Sequence, residues 1–419
     1  MSENRAGRFA ATRRQVLAAS LPLLSGGVWA DTSPYVLGAS EIYAHDSNFV
    51  HLADGAILPS SLQARTDRIA TTTLFGGIDQ TVGRQRVYAN ANVRDNRYRY
   101  NRLYNNQGFG LAAGLDWATV ERVSGNLGLS SNRTLASFDR GNGNNAPNVA
   151  KNIEQTDQLS GSVRVGVVTD VTLEAGYSQQ RQRFSEVGAR LEQSITSLGV
   201  RERFGGALTI GAGLRLTDGR YPDHNDSFRG RDLDLSANWV PNAISTVVAR
   251  LSLGRTDHSL ATAQDFKGAT GALSWDWKPS GKLAFGTQLS RSTGNDSSFA
   301  TIAGGAASIT ASADNSKLTT SMWLNASYEA TAKIRLDASL SRASRTLTNS
   351  LSINSAQPIS ATDGDRLDRL RLSARYAPTR TLELSCNLGR ERRSANNSTL
   401  TYAYRSNTVA CSAQLAVQP

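Results

Sequence analysis

No run of 18 apolar residues occurs anywhere in the chain, and that excludes a transmembrane helix. For a chain of 419 residues it is also poor in hydrophobics, at 39%, with a mean hydropathy of −0.36. Histidine is scarce: only His45, His51, His224 and His258. There is no His-x-x-x-His pair, Cys-x-x-Cys pair, Gly-x-Ser-x-Gly elbow or phosphate-binding loop, so the zinc-hydrolase, dithiol-redox, serine-hydrolase and nucleotide-hydrolysing classes lose their usual chemistry. A Ser/His site built into a barrel wall needs a histidine on a strand face, and all four histidines are expected in loops. His45-Asp46 with His51 is the nearest approach to a metal site, and loop histidines beside an aspartate are ordinarily solvated. No enzyme activity, metal or cofactor is expected.

What the chain does have is alternation of period two. Gly206–Leu216 places Leu208, Ile210, Ala212, Leu214 and Leu216 on one face, and Thr209, Gly211, Gly213 and Arg215 on the other. Gly268–Pro279 puts Ala269, Gly271, Leu273, Trp275 and Trp277 together. Such pairs of strands flank eight very short turns. At six of those turns an aromatic precedes the turn on the apolar face: Trp117, Phe204, Trp239, Trp277, Tyr328 and Tyr376. A soluble sandwich or solenoid shows the same alternation, but has no reason to set aromatics at one height beside one set of turns. The pattern predicts an all-β transmembrane up-and-down barrel with an interfacial aromatic girdle.

The first thirty residues have the form of an export signal. Arg5, Arg8, Arg13 and Arg14 precede an apolar core over Val16–Leu24 and a small-x-Ala site at Val28-Trp29-Ala30. Cleavage after Ala30 is expected, leaving one barrel domain over 31–419 and lowering the net charge from +11 to about +8. No cysteine lies near that site, which argues against a lipid-anchored form. The expected destination is the outer membrane of a Gram-negative bacterium.

Short turns fall near 82–85, 119–121, 169–170, 205–206, 241–244, 278–281, 330–332 and 378–380. Polar loops fall near 46–66, 97–106, 133–155, 184–191, 218–229, 257–265, 293–315, 347–364 and 392–400. Together they join 18 strands, or 16 if segments 192–204 and 316–329 are not strands. Short turns are expected in the periplasm and long loops outside. A barrel of this size leaves an aqueous lumen unless something fills it, and loops 46–66, 133–155 and 293–315 are the segments able to fold inward.

The alternation turns Arg94, Arg164, Arg215, Arg250, Arg335, Arg369, Arg371 and Arg375 toward the lumen, with Glu174, Asp232, Asp234, Asp276, Asp337 and Glu383. Counting back from the turns sets Arg164 opposite Glu174 and Arg375 opposite Glu383. These charges admit two readings: an ion-pair ladder satisfying a wet interior, or an arginine-rich wall that attracts anions. Arg94, Arg97, Arg99 and Arg102, interleaved with Tyr98 and Tyr100, form a basic cluster at one strand mouth. On an exported chain this suits sugar stacking or lipopolysaccharide phosphates, and nucleic acid is not an expected partner. Cys386 and Cys411 fall opposite each other on the lipid-facing side of the last two strands. They form either a cross-strand disulfide or two small apolar thiols.

Asp46-Ser47-Asn48-Phe49 followed by Leu52-Ala53-Asp54-Gly55 resembles the opening of EpsL-like outer-membrane barrels of exopolysaccharide operons, which are exosortase-associated and related to a wider porin-like barrel group. The stretches Leu74–Tyr100 and Phe109–Ala118 resemble the same group. The resemblance implies a pore that takes part in exopolysaccharide biosynthesis or export and guides an acidic polysaccharide or oligosaccharide. A periplasmic export-complex partner is implied as well. The alternatives are a general diffusion porin for small anionic solutes and a non-conducting barrel that anchors an export complex.

Overall fold

The computed structural model describes residues 33–418 apart from 121, 139–146, 148, 167–169, 187, 189, 260–264, 294–316, 352–358 and 397–400. The expected signal peptide, and most of the loop expected at 293–315, lie outside the described residues. In chain order the strands are β1 (Tyr35–Asp46), β2 (Asp67–Val82), β3 (Gln85–Tyr98), β4 (Asn106–Ala118), β5 (Val123–Leu135) and β6 (Ile153–Val165). Next come β7 (Val171–Phe184), β8 (Leu191–Phe204), β9 (Leu208–Tyr221), β10 (Asp226–Asn242), β11 (Ser245–His258) and β12 (Phe266–Trp277). The last six are β13 (Leu283–Thr293), β14 (Lys317–Glu329), β15 (Ile334–Leu351), β16 (Ile359–Tyr376), β17 (Leu382–Ala395) and β18 (Tyr404–Val417).

Each strand pairs antiparallel with its sequence neighbours, and β1 also pairs with β18, so the 18-stranded sheet closes on itself. Closure matters energetically. A sheet with free edges would leave unpaired N–H and C=O groups in hydrocarbon, each costing several kcal/mol by order of magnitude. The strands run from 11 to 18 residues, enough at a tilt of about 40° to cross an apolar band of about 25 Å. Segments 192–204 and 316–329 are indeed strands, as β8 and β14. β15 and β16 extend by pairing through Leu351 and Ile359 into what the sequence suggested was loop.

The two faces differ as curvature requires. Side chains converge on the concave side, where Ser252 and Ser274 are 0% and 2% exposed; they diverge on the convex side, where Leu214 is 63% exposed. The convex face is the apolar one, carrying Leu37, Leu74, Leu198, Leu253, Leu340 and Leu388. Burying that surface requires lipid. Trp117, Phe204, Trp239, Trp277, Tyr328 and Tyr376 share this face, at or near the short-turn ends of β4, β8, β10, β12, β14 and β16. Trp277 stacks between Trp275 and Phe285, with centroids 5.8 and 5.4 Å away.

Turn chemistry fits the connections. Gly83 (φ +61°) opens the two-residue turn between Val82 and Gln85, and Gly205 and Gly206 (φ +56° and +78°) form the tip between β8 and β9. L-residues rarely adopt these angles. At the long-loop end the chain folds inward. The β1–β2 loop, residues 47–66, packs Phe49, Val50, Leu52 and Leu62 against Tyr104 and Phe138, with Tyr98 beside them.

Candidate functional site: the inner wall and its extracellular mouth

The concave wall is a set of ion-pair ladders built by register. Arg215 on β9 lies opposite Asp232 on β10. Its guanidinium reaches Asp232 at 3.3 Å and Asp234 at 3.2 Å while its side chain is 5% exposed. Arg250 on β11 closes on the same Asp234 at 2.5 Å, and the Ser252 hydroxyl donates to the other carboxylate oxygen. Gly254 leaves the room: a Cβ there would stand 1.8 Å from an Asp232 carboxylate oxygen. Further along, Arg335 pairs with Asp337 at 2.9 Å, Arg369 with Glu391 at 2.5 Å and Arg375 with Glu383 at 3.1 Å. At the periplasmic mouth Arg86 bonds Asp79 at 2.5 Å, approaches Asp116 at 3.6 Å and lies over the Tyr88 ring.

Arg164 does lie opposite Glu174, but the ion pair of Glu174 is with Arg201 on β8, at 2.6 Å. Arg375 lies opposite Ser385, not Glu383; the register of this hairpin is centred on Arg380, one residue beyond the centre of 378–380, so the pair is diagonal. After these pairings, a few charges keep no ionic partner. Among the described residues Arg94 donates only to the Asn132 side-chain amide oxygen, at 3.0 Å. Neither Arg164 nor Arg371 makes an ion pair among the described residues, and the Arg164 Nε is buried without a hydrogen-bond acceptor. Among the acids singled out from the sequence, Asp276 likewise makes none. Both readings of the lumen charges are therefore represented: most of the wall is neutralised, with a small basic surplus where the pairing stops.

The extracellular mouth was not legible in advance. The 47–66 loop is pinned along the inner wall at two places. On one side is the aromatic cluster, where Phe49 meets Tyr104 (5.3 Å), Tyr98 (5.6 Å) and Phe138 (5.8 Å) between ring centroids. Burial pushes the Tyr104 phenol up to about 12, and its hydroxyl donates to the Val149 carbonyl. On the other side Asn48 donates to the carbonyls of Leu52 (2.9 Å) and Arg405 (3.0 Å) and accepts from the Leu52 N–H (2.9 Å). His51, in the left-handed region at φ +57°, stacks on Tyr404 at 4.4 Å and comes within 3.7 Å of Glu391. Tyr404 donates to that same Glu391, and Arg393 lies 4.7 Å over the Tyr404 ring. Below them Asp365 accepts from Arg345 and Thr401.

The basic cluster on β3 is divided. Arg94 points inward. Arg97 points outward, onto Asp95 at 2.6 Å. The Arg99 and Tyr100 backbone N–H groups, with that of Asn101, donate to the fully buried Asp67 at 2.9, 3.1 and 2.9 Å. Asp67 thus ties the β3–β4 connection to the start of β2. Two histidines are not in loops: His45 lies within β1, and His258 ends β11 with its Nδ1 2.7 Å from the buried Asp226. No hydroxyl bonds the other nitrogen of His258 among the described residues, so this pair is a clasp between β10 and β11. His45, Asp46 and His51 do not converge, and among the described residues no group of three potential metal ligands occurs. Cys386 and Cys411 are register partners joined by a disulfide on the convex face, with a Cα–Cα separation of 4.1 Å.

No family model and no curated protein matches the sequence. Solved structures with a similar chain path include OpdL of Pseudomonas aeruginosa, at 11% identity over 92% of this chain and 98% of that one, with a TM-score of 0.47. The outer-membrane protein opdK of the same organism matches at 12% identity, over 91% and 98%, with a TM-score of 0.47. A BenF-like porin from Pseudomonas fluorescens Pf-5 matches at 12% identity, over 93% and 100%, with a TM-score of 0.43. These are similarities of barrel to barrel.

Proposed function

We propose that this protein is an outer-membrane channel for anionic solutes. The observation that carries the proposal is the division of charge on the inner wall. Ladders such as Arg215–Asp232–Asp234–Arg250 neutralise most of it, while Arg164 and Arg371 face the lumen with no carboxylate paired to them among the described residues. A fully paired wall would be indifferent to the sign of the solute. Isolated guanidinium groups raise the local anion concentration within a screening length of about 8 Å. They can also bind carboxylates in bidentate fashion without burying them. An acidic polysaccharide or oligosaccharide, the cargo implied by the EpsL-like resemblance, is the finer form of this reading: it needs a wet wall without deep traps.

The inward course of the 47–66 loop favours a second reading, a barrel closed at its outer mouth that anchors an export complex. One experiment separates them. The refolded mature chain is placed in a planar bilayer under a salt gradient, and the reversal potential is read with and without an anionic oligosaccharide. The channel reading expects anion selectivity, lowered in Arg164→Glu and Arg371→Glu, and reversible block by the sugar. Unchanged selectivity in both variants removes the proposed role of these arginines. A heat-modifiable barrel that conducts nothing transfers the case to the anchor.

A further inference from the structure

Charge is sorted differently on the two faces of the wall. On the concave side most arginines have a carboxylate. On the convex side, just beyond the apolar band, they divide: Arg183, Arg220, Arg229, Arg255 and Arg342 pair with carboxylates, and others have none. β17 runs Leu384, Cys386, Leu388 and then Arg390 and Arg392 along one face; β16 runs Leu372, Leu370, Asp368 and then Arg366; β10 runs Leu235, Leu233 and then Arg231. Arg231, Arg366, Arg390 and Arg392 make no ion pair among the described residues. Each stands where its strand leaves hydrocarbon on the long-loop side. Cations held at that level without protein counter-charges are placed for anions belonging to the membrane surface.

One part of this belt is hollowed into a site. A cleft of about 420 Å³ opens between β3, β4, β5 and the start of β6, lined by Asp95, Arg97, Gln107, Arg133, Lys151 and Ile153 among others. Asp95, Gln107, Arg133 and Ile153 are on the convex face by register. Arg97 is oriented by Asp95 at 2.6 Å, and Lys151 by the Asn105 carbonyl at 2.6 Å. Arg133 makes no ion pair among the described residues. Three cations against one carboxylate, above the apolar Phe109 and Leu111 of β4, make a pocket that is basic at the top and greasy below.

We propose that this cleft binds the phosphorylated headgroup of a lipid in the outer leaflet, with Arg133 and Arg97 gripping phosphate oxygens and Lys151 supplying a point charge. The guanidinium fork matches two phosphate oxygens at once, and the acyl chains continue down the face of β4 and β5. The inference rests on the membrane placement of the barrel but not on its conducting anything.

The test uses the folded mature barrel in detergent and reads retained lipid by native mass spectrometry. The probes are a diphosphorylated glucosamine-based lipid, its dephosphorylated counterpart and inorganic phosphate. The expected result is retention of the phosphorylated lipid and loss of the dephosphorylated one. A drop in affinity of about tenfold or more is expected in R97A/R133A/K151A, the scale of losing charge-assisted bonds. Arg133→Lys, which keeps the charge but not the fork, should fall between, and it remains informative if the triple variant fails to refold. Arg380→Ala, in the turn between β16 and β17 at the other end of the barrel, should bind as the parent does. Equal retention of the dephosphorylated lipid, or unchanged affinity in both the Arg133→Lys and triple variants, overturns the proposal. So does displacement by inorganic phosphate alone, which would make this a free-anion site. Conductance of the same preparations separates failure here from failure of the channel reading.

Discussion

Removing the aromatic anchor of the 47–66 loop should open the outer mouth without unfolding the barrel. Phe49 is 7% exposed and touches three rings, Tyr98, Tyr104 and Phe138. Truncating a buried phenylalanine to alanine costs about 3–5 kcal/mol in burial and cavity terms. Little of that loss falls on the strand ladders, because Phe49 belongs to the loop and, of its three partners, only Tyr98 is a strand residue, the last of β3. The cost is therefore levied on the docked loop against the undocked one. At 1.4 kcal/mol per tenfold, it shifts that equilibrium by roughly 10²–10³. The second anchor, Asn48 with His51 on Tyr404, still tethers one end, so the loop should flicker, not leave. In single-channel records Phe49→Ala should show a larger mean conductance with added millisecond-scale noise, and Phe49→Leu a smaller effect. Heat-modifiability of the barrel should be unchanged. A Phe49→Ala barrel with the parent's conductance and noise would refute the idea that this loop sets the constriction.

Three further outcomes follow from the same geometry. Thiol titration of the denatured, unreduced chain should find no free thiol. Cys386→Ser should lower stability by at most about 3.5 kcal/mol, the chain-entropy value for a loop of this length, since Cys386 and Cys411 are already held as register partners; two free thiols would contradict the bond. Gly254→Ala should break the contact of Arg215 with Asp232, because the added Cβ takes the place of the carboxylate; a lower thermal midpoint and altered ion selectivity are expected, and parental values in both would show that the ladder shifts freely. Tyr104, whose phenol is raised from its ordinary value of 10 to about 12, contributes stability that is intact below pH 10 and is lost as pH rises through 12. Absorbance titration should show one late-ionising tyrosine fewer in Tyr104→Phe than in the parent, and a parent with every tyrosine titrating near pH 10 would refute its burial.

How much of this the sequence revealed depended on what fixes each feature. Strand existence and facing follow from period-two alternation, which is local, and so Leu208 to Leu216 and Ala269 to Trp277 could be assigned directly. The pairing of Cys386 with Cys411 was open to counting because the tip of that hairpin could be centred. The same counting failed for Arg375 and Glu383, where the register is centred one residue later and every partner moves by two. What stayed hidden was contact between loops and wall. Nothing local marks Asp67 as the acceptor of three consecutive N–H groups from residues 99–101, or Glu391 as the meeting point of Arg369, Tyr404 and His51. Those partners come from separate strands and loops, 13 residues apart for Tyr404 and Glu391 and 34 for Asn101 and Asp67, and a loop carries no periodicity from which its direction can be read. The run Asp46-Ser47-Asn48-Phe49 was noticed for its resemblance; its physical use, a turn that tucks Phe49 and Asn48 inward, needed the closed barrel to supply the other side.

The pairing of charges within the wall also limits the kind of channel this can be. A ladder of arginines and carboxylates at 2.5–3.3 Å, such as Arg215 with Arg250 and the two aspartates, is stiff and already satisfied, so a passing anion cannot capture one of its guanidinium groups without stranding a carboxylate. Such a wall offers dipoles and steric guidance but little affinity. Arg164 and Arg371 can bind without that penalty, because no acid is released when an anion arrives. They sit on β6 and β16, on separate arcs of the barrel, so a small anion can meet one of them at a time, whereas an extended acidic chain can touch both. Selectivity for length would then arise from spacing and not from tight binding. The signature would be a block by anionic oligosaccharides that strengthens with chain length until both sites are bridged, then levels off. That dependence should vanish when either arginine alone is replaced.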